Sequence, residues 1–433
     1  KESAAVPRDV LEAVKLPRGK RSKEQAKLVR EYYIGYVYEP AKATFEPFLK
    51  EIADIKKQRD ELDNSLPASM VMDELKDPKT AYILKRGEYD KKGDPVVRAV
   101  PGALPPLPKS GTTNRLDFAR WLVDREHPLT ARVNVNRFWQ QFFGIGLVKT
   151  ANDFGAQGEW PSHPELLDWL ACEFRDGSAS NPAWDVKHLV RLIVTSSTYR
   201  QDSRVTPEKY QLDPENRLLA RGPRFRLDAE EIRDNALYVS GLLVEKIGGK
   251  SVRPYQPEGI WEAVGYTASN TAKFTQDHGE ALYRRSLYTF WKRTAPPPSL
   301  LTFDAPSRER FCVRRERTDT PLQALVTMND PQYVEAARHF GERIFNYSCD
   351  VDQRLEFGFR TVTARYPSSA EKAILKSALE KQVAKYQRDP EEAKKLISVG
   401  ESPATKNVQP SDLAAYTIFA SLLLNLDETL NKN

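Results

Sequence analysis

The sequence predicts a mainly α fold, a multi-helix domain with a small amount of β, on three observations. Four segments carry a helix-start signature, in which a Ser, Thr or Asp side chain takes a backbone amide three residues on and a Glu or Gln reaches back. They are Ser162 with Glu165, Asp228 with Glu231, Thr320 with Gln323 and Ser368 with Glu371. Pro164 and Pro321 stand in first turns, where a missing N–H costs nothing. Apolar residues recur at three-to-four spacing over long stretches, whereas only two stretches have strand character.

In chain order, residues 22–62 place Tyr32, Tyr33, Tyr36, Phe45, Phe48 and Ile52 at helical spacing with lysines between them, which predicts two helices broken near Pro40. A hairpin near 81–97 follows, with strands near Ala81–Leu84 and Pro95–Val97 and glycines at 87 and 93. Residues 100–110 read VPGALPPLPKS, an extended connection that marks the main boundary. Three parts result: residues 1–108 as an N-terminal helical segment with hairpin and linker, 109–346 as the core domain, and 347–433 as a C-terminal helical segment docked on it. Within the core, LYRRSLYTFWKRT near 282–294 is rich in β-formers and lacks Gly and Pro, so a strand is expected, ended by the prolines at 296–298. Its two faces would both mix aromatics with cations. The LAAYTIFASLLLNLDETL ending reads as an amphipathic helix packed on the core.

Composition bounds the function. At 433 residues, with 40% hydrophobic and 29% charged side chains, the chain can bury several cores. Its +6 charge is the small excess of 66 basic over 60 acidic residues, which does not point to nucleic acid. No apolar run nears the roughly 20 residues of a spanning helix. The chain opens at Lys1 without an initiator Met or secretory leader, so a processed or truncated product is expected. Cys172, Cys312 and Cys349 form no C-x-x-C; Cys172 is expected as a small buried hydrophobe, and Cys312 with Cys349 is the favoured disulfide pair.

Long phrases from Asn114 onward carry a resemblance. NRLDFARWLVDREHPLTARVNVNRFWQQFFGIGLVKT, DFGAQGEWPSHPELLDWLA, RFRLDAEEIRDNALYVSGLL, YRRSLYTFWKRTAPPPSLLTFDAP and RRERTDTPLQALVTMNDPQYVEAA occur in order. With them the chain resembles the planctomycete-type, cytochrome-c-associated extracellular family of unknown function. The resemblance implies export to the periplasm or cell exterior and a cytochrome c domain in the same or a partner polypeptide. It also implies haem c in a missing N-terminal part, since this chain has no C-x-x-C-H and no cofactor of its own. The family offers no catalytic residues to carry over.

Familiar catalytic motifs fail on spacing. DFG at 153–155 has no kinase catalytic loop beside it, IGGKS at 247–251 lacks the first glycine of a phosphate loop, and neither H-E-x-x-H nor G-x-S-x-G occurs. Three constellations remain. The segment NDFGAQGEWPSHPE gathers Asp153, Glu159, Trp160, His163 and Glu165 in one helix-to-helix connection. There Asp153 and Glu159 are candidate calcium ligands, and His163 and Asp153, with Tyr288 from the expected strand, are candidate catalytic groups. The bland alternative has Ser162 and Glu165 simply satisfying helix-end amides. Arginines form the second constellation: Arg221, Arg224, Arg226 and Arg233, then Arg284, Arg285 and Lys292, then Arg308, Arg310, Arg314, Arg315 and Arg317. Converging, Arg226, Arg233, Arg284, Arg285 and Lys292 would bind an anion; paired with nearby acids, they would instead lock helices together. Trp160 and Trp291 are candidate sugar-stacking platforms, while Trp139 is read as core.

The expected function is therefore an exported module that binds an anionic polysaccharide or another extracellular ligand, tethered to a c-type cytochrome. Two alternatives stand beside it. One is an oxidoreductase with a substrate site around Asp153, His163, Arg284 and Tyr288 that passes electrons to haem. The other is a structural scaffold of a surface or periplasmic assembly.

Overall fold

A computed structural model describes residues 6–432, apart from residues 67, 74, 76, 78, 108–112 and 267 and the side chain of Lys42. Packing divides the chain into two compact units, 1–97 and 98–433, with the break just ahead of the proline-rich stretch. Helix dominates throughout, and none of the described helices is long and apolar enough to cross a membrane.

The first unit holds α1 (Arg8–Lys15), α2 (Lys23–Tyr32), α3 (Glu39–Ser65) and the strands β1 (Ala81–Leu84) and β2 (Lys92–Val96). Ser22 starts α2: its hydroxyl accepts from Gln25 N at 3.1 Å while the Gln25 carboxamide accepts from Ser22 N at 3.0 Å. A wide turn over Tyr33–Val37 ends the helix, Tyr38 is extended, and Pro40 occupies the first turn of α3. The expected break near Pro40 is therefore present, with Pro40 in the first turn of α3, where its missing N–H costs nothing, although α3 also carries Pro47 in its interior. β1 and β2 pair antiparallel, with Ala81 opposite Val96 and Leu84 opposite Lys92. The second strand begins three residues earlier than the sequence predicts.

The second unit has two large hydrophobic centres and, among the described residues, a smaller one of Tyr386, Ala393, Ala414 and Ala415 where the helices Ser369–Arg388, Pro390–Ile397 and Pro410–Leu424 meet. The first is built by α4 (Arg115–Leu122), α5 (Thr130–Phe143), α6 (Pro164–Asp176) and α7 (Val186–Thr195). Val135, Trp139 and Phe143 recur every four residues along α5, so they share a face, and they pack on Leu167, Leu170 and Phe174 of α6 and on Leu189 and Ile193 of α7. The expected capping pair at the start of α6 is absent. His163 occupies the capping position without a side-chain capping bond, and Ser162 turns back to donate its amide to Leu147 O at 2.9 Å. Cys172 is exposed rather than buried. It lies about 100° beyond Ala171 around the helix and so misses the stripe of Leu167, Leu170, Ala171 and Phe174. Cys312 and Cys349 are likewise free and exposed, not paired.

After α8 (Pro207–Leu212) and β3 (Phe225–Arg226), the second centre gathers α9 (Ala229–Ser240), α10 (Pro298–Thr302), α11 (Pro321–Asn329), α12 (Pro331–Tyr347), α13 (Val351–Thr363), α14 (Ser369–Arg388), α15 (Pro390–Ile397), α16 (Pro410–Leu424) and α17 (Asp427–Leu430), with β4 (Asn431–Lys432) returning to pair with β3. The predicted caps at Asp228, Thr320 and Ser368 are all formed. Phe340, Ile344, Leu355, Phe359 and Phe419 are among the fully or nearly fully buried residues here, and each such side chain contributes about 1.5–3 kcal/mol. The last long helix departs from expectation. Leu413, Ala414, Ala415, Tyr416, Thr417, Phe419, Ala420, Leu423 and Leu424 are buried over most of its circumference, leaving only a narrow strip with Leu422 exposed, so α16 is a largely enclosed helix rather than an amphipathic one with a single buried face.

No strand forms over 282–294. The segment makes two short 3₁₀ turns, Gly279–Tyr283 and Ser286–Tyr288, and meets Val244 and Val252 only through single-residue parallel bridges. Tyr283 O, Tyr288 O and Phe290 N bond to the backbone of Val244 and Val252, and side chains take other groups: Ser286 N donates to Asp234 Oδ1 at 2.7 Å, and the Arg233 guanidinium donates to the carbonyls of Leu282 and Arg284. The alternation survives locally, with Leu282, Arg284 and Ser286 buried and Arg285 and Leu287 exposed. Alternation without a neighbouring strand leaves extended chain, not sheet.

Candidate functional site

The connection between α5 and α6 places Asp153, Glu159, Trp160 and His163 on one loop whose shape is set by its own backbone. Asp153 Oδ1 accepts from Gly155 N at 2.8 Å, and Thr150 Oγ1 donates to Asp153 O and accepts from Glu159 N. Gly158 lies so close to Asp153 O that a Cβ there would stand 2.2 Å away, so the loop needs glycine at that point. His163 Nδ1 lies 3.1 Å from Ser162 Oγ, and Trp160 is 83% exposed. Among the described residues no group of three or more His, Cys, Asp or Glu side chains is arranged to hold a metal ion.

Of the four arginines named as anion ligands, Arg226, Arg233 and Arg284 are buried and Arg285 is exposed. Arg226 is buried, donates to the carbonyls of Thr318, Leu227 and Phe303, and pairs with Asp304. Arg233 is buried against Gln332 Oε1 (2.6 Å), Leu282 O, Arg284 O and Ser286 Oγ. Desolvation lowers the pKa of both guanidinium groups. Arg284 donates to the carbonyls of Lys246, Gly248 and Lys250 and stacks 3.8 Å from the Tyr288 ring, whose hydroxyl accepts from Gly248 N. Arg285 pairs with Asp234 at 3.6 Å, and Lys292 donates to the carbonyls of Trp261 and Thr271. Trp291 donates to Ser307 O and lies under Arg308. Arg233, Arg284, Arg285 and Tyr288 are thus brought together, fastening the 282–290 segment to α9. No hydrogen bond or ion pair among the described residues joins them to Asp153 or His163.

Other members of the arginine blocks do meet at a cavity. Between the end of α5 and the 213–225 loop lies a hollow of about 420 Å³ lined by Arg221, Arg224, Arg317, Glu215, Tyr210 and Phe225, among others. Gly144, with φ of +81°, ends α5 and lets the chain turn away beside Phe225. Arg221 is only 8% exposed; its Nη2 donates to Pro214 O at 2.8 Å, while Nη1 has no hydrogen-bond partner. Arg317 stacks 4.4 Å from the Phe225 ring and reaches Asp228 at 3.4 Å, yet its buried Nε also lacks a partner. Glu215, the one carboxylate in the lining, is held by Lys149 at 2.8 Å. Lys432 covers Tyr199 and Phe225 from β4, and burial brings its pKa down to about 8. An adjoining hollow of about 780 Å³ shares Ser203, Val205 and Arg224 with the first and adds Arg204 and Arg365. There the arginines are paired, Arg204 with Asp202 and Arg365 with Glu371 and Glu428, which holds the Glu371 carboxyl down at about 2.

The hollow gathers three guanidinium groups: Arg224 pairs with Asp427 and Arg317 with Asp228, while Arg221 has no carboxylate partner among the described residues, and Arg221 Nη1 and Arg317 Nε are buried without a hydrogen bond. The sequence placed Arg221, Arg224 and Arg317 in its arginine blocks but named other members of those blocks as the anion ligands. The local signal was the RGPRFR stretch at 221–226, where Gly222 and Pro223 force a turn that no helix could internalise. Comparison with known proteins gives one match: the family model described as PSD1, protein of unknown function (DUF1553), covers residues 114–379. No curated protein and no solved structure matches.

Proposed function

The chain belongs to the PSD1 family of proteins of unknown function (DUF1553), and we propose that it is a module that binds an anionic glycan in the arginine-lined cavity. The observation that carries this is the pair of unpartnered cationic donors, Arg221 Nη1 and Arg317 Nε. A buried charged donor left unbonded costs roughly 1–3 kcal/mol or more, a cost that an incoming carboxylate or sulfate group would remove. The adjoining hollow with its fixed Arg–carboxylate pairs offers polar groups for the hydroxyls of further sugar units, and Tyr210, 58% exposed at the cavity, offers a stacking face. The setting proposed with it is the one the resemblance implies, outside the cytoplasm and beside a c-type cytochrome domain in the same or a partner polypeptide.

Retention on immobilised polygalacturonate tests the proposal. Binding is expected at about 0.01 M salt and should weaken sharply at about 0.15 M, as the screening length falls from about 30 to about 8 Å. Arg221→Ala with Arg317→Ala should weaken the low-salt interaction by at least about tenfold, the scale of one charge-assisted hydrogen bond, with the circular dichroism spectrum unchanged. Absence of retention by the unaltered chain, or equal retention by the double variant, defeats the proposal.

A further inference from the structure

Along α3, Phe45, Phe48, Ile52, Ile55, Arg59 and Leu62 follow one another at alternating spacings of three and four residues. That is the core pattern of a seven-residue repeat, and it lays all six on one stripe of the helix. Five of the six are apolar, and these are between 41% and 63% exposed. The opposite face is polar, with Glu46, Lys50, Asp54, Lys57 and Glu61, and Lys57 reaches Glu61 at 3.9 Å.

Only the start of the helix is packed. Leu49 lies against the turn before α3, where a Cβ on Gly35 would stand 3.3 Å from Leu49 Cδ1. From Lys50 to Ser65 every residue is exposed. A helix in water draws most of its stability from packing one amphipathic face, and here that face has nothing against it.

The stripe complements itself. In an antiparallel pair of such helices, the first core position of each repeat faces the second core position of the other helix. With Ile52 set against the partner's Ile55, Phe48 meets the partner's Arg59 and Phe45 meets the partner's Leu62. Every stripe residue of one copy then has its counterpart in the other, as a two-fold interface requires.

Arg59 decides the direction. Parallel and in register, it would face the partner's Arg59 and set two guanidinium groups together in an apolar seam. Antiparallel, it lies on the ring of the partner's Phe48, a favoured place for a cation, with Asp60 2.6 Å away to balance the charge. The parallel pair has one attraction, Glu51 beside the partner's Lys56 on the flank, but an exposed ion pair is weak beside two facing buried charges. The antiparallel flank sets Glu51 beside the partner's Gln58 and Lys56 beside the partner's Leu49, so no like charges meet there.

We propose that α3 is a self-association surface, through which two copies of this chain join as an antiparallel coiled coil centred between Ile52 and Ile55. The surface lies outside residues 114–379, the stretch that carries family membership, and shares no residue with the arginine cavity.

Sedimentation equilibrium of the full chain, without glycan, tests the proposal. The unaltered protein is expected to pass from monomer to dimer as its concentration rises through the micromolar range. Ile52→Lys with Ile55→Lys should leave it monomeric throughout, with the near-ultraviolet circular dichroism unchanged, because both side chains are exposed in the single copy. Lys56→Glu reads the direction. In a parallel pair that change sets two carboxylates together and should weaken the dimer at least about tenfold, whereas in the antiparallel pair the dissociation constant should move less than about twofold. A monomer at every concentration, an assembly larger than a dimer, or a dimer that survives Ile52→Lys with Ile55→Lys overturns the proposal. A tenfold loss in Lys56→Glu overturns the antiparallel arrangement. None of these results depends on glycan binding at the arginine cavity.

Discussion

Replacing Arg233 with alanine is expected to remove about 3–5 kcal/mol of folding stability, the scale for breaking a buried, fully hydrogen-bonded charge cluster. The side chain leaves α9 at 2% exposure and its guanidinium nitrogens serve Gln332, Leu282, Arg284 and Ser286. Truncation strands two carbonyls, an amide oxygen and a hydroxyl in a dry interior and leaves Asp234, 3.9 Å away, without its nearest charge on that side. It also opens a void where a long side chain stood. Lysine should restore little, because one ammonium group cannot reach acceptors arranged around a planar fork. The measurement is the urea midpoint at constant m. A loss below about 1 kcal/mol would mean that the 282–290 segment holds its place without the arginine.

Gly341→Ala should be the second large effect. In α12 a Cβ at this position would stand 2.7 Å from Tyr416 C and O and 2.9 Å from Thr417 N, all main-chain atoms of α16. Backbone cannot rotate aside, and α16 is buried over most of its circumference, so relief requires moving a whole packed helix. Overpacking of this kind costs roughly 1–3 kcal/mol and here exceeds the gain of about 1 kcal/mol in helix propensity. Gly358→Ala is the matched comparison. Its Cβ would meet the side-chain ends Ile344 Cδ1 at 2.9 Å and Leu423 Cδ1 at 3.0 Å, which can change rotamer. Thermal unfolding should therefore fall clearly more for Gly341→Ala than for Gly358→Ala, and equal shifts would contradict the close helix crossing.

Helix starts were legible because a cap is local chemistry: Asp228, Thr320 and Ser368 need only a residue three positions on. Ser162 had the same pattern, yet its amide goes to Leu147, fifteen residues earlier, a competitor that no short window contains. The 282–294 segment misled for a related reason. Its aromatic and branched residues suit a pleated surface, but whether one forms depends on a partner strand, and Arg233 and Asp234 of α9 satisfy part of its backbone instead. The circumference of α16 could not be read from an apolar run that fits either a one-sided or an enclosed helix; only the helices around it distinguish the two. For the arginines, composition showed that cations cluster but not which ones would be consumed by carbonyls. Arg226, Arg233 and Arg284 are consumed, whereas Arg221 and Arg317 retain a donor. Glu335, Tyr255 and Tyr283 meet from positions far apart in sequence and had no local signature at all.

The enclosed helix also bears on where this protein can be cut. The stretch that defines its family ends at residue 379, inside α14 and thirty residues short of α16. A recombinant piece trimmed to that boundary would leave Phe340, Ile344 and Leu355 facing water where Phe419 and Leu423 now stand, and it should precipitate or associate through that vacated trough. Any expressible unit has to run on through residue 424, which makes the tail beyond the family stretch a structural necessity for the part within it.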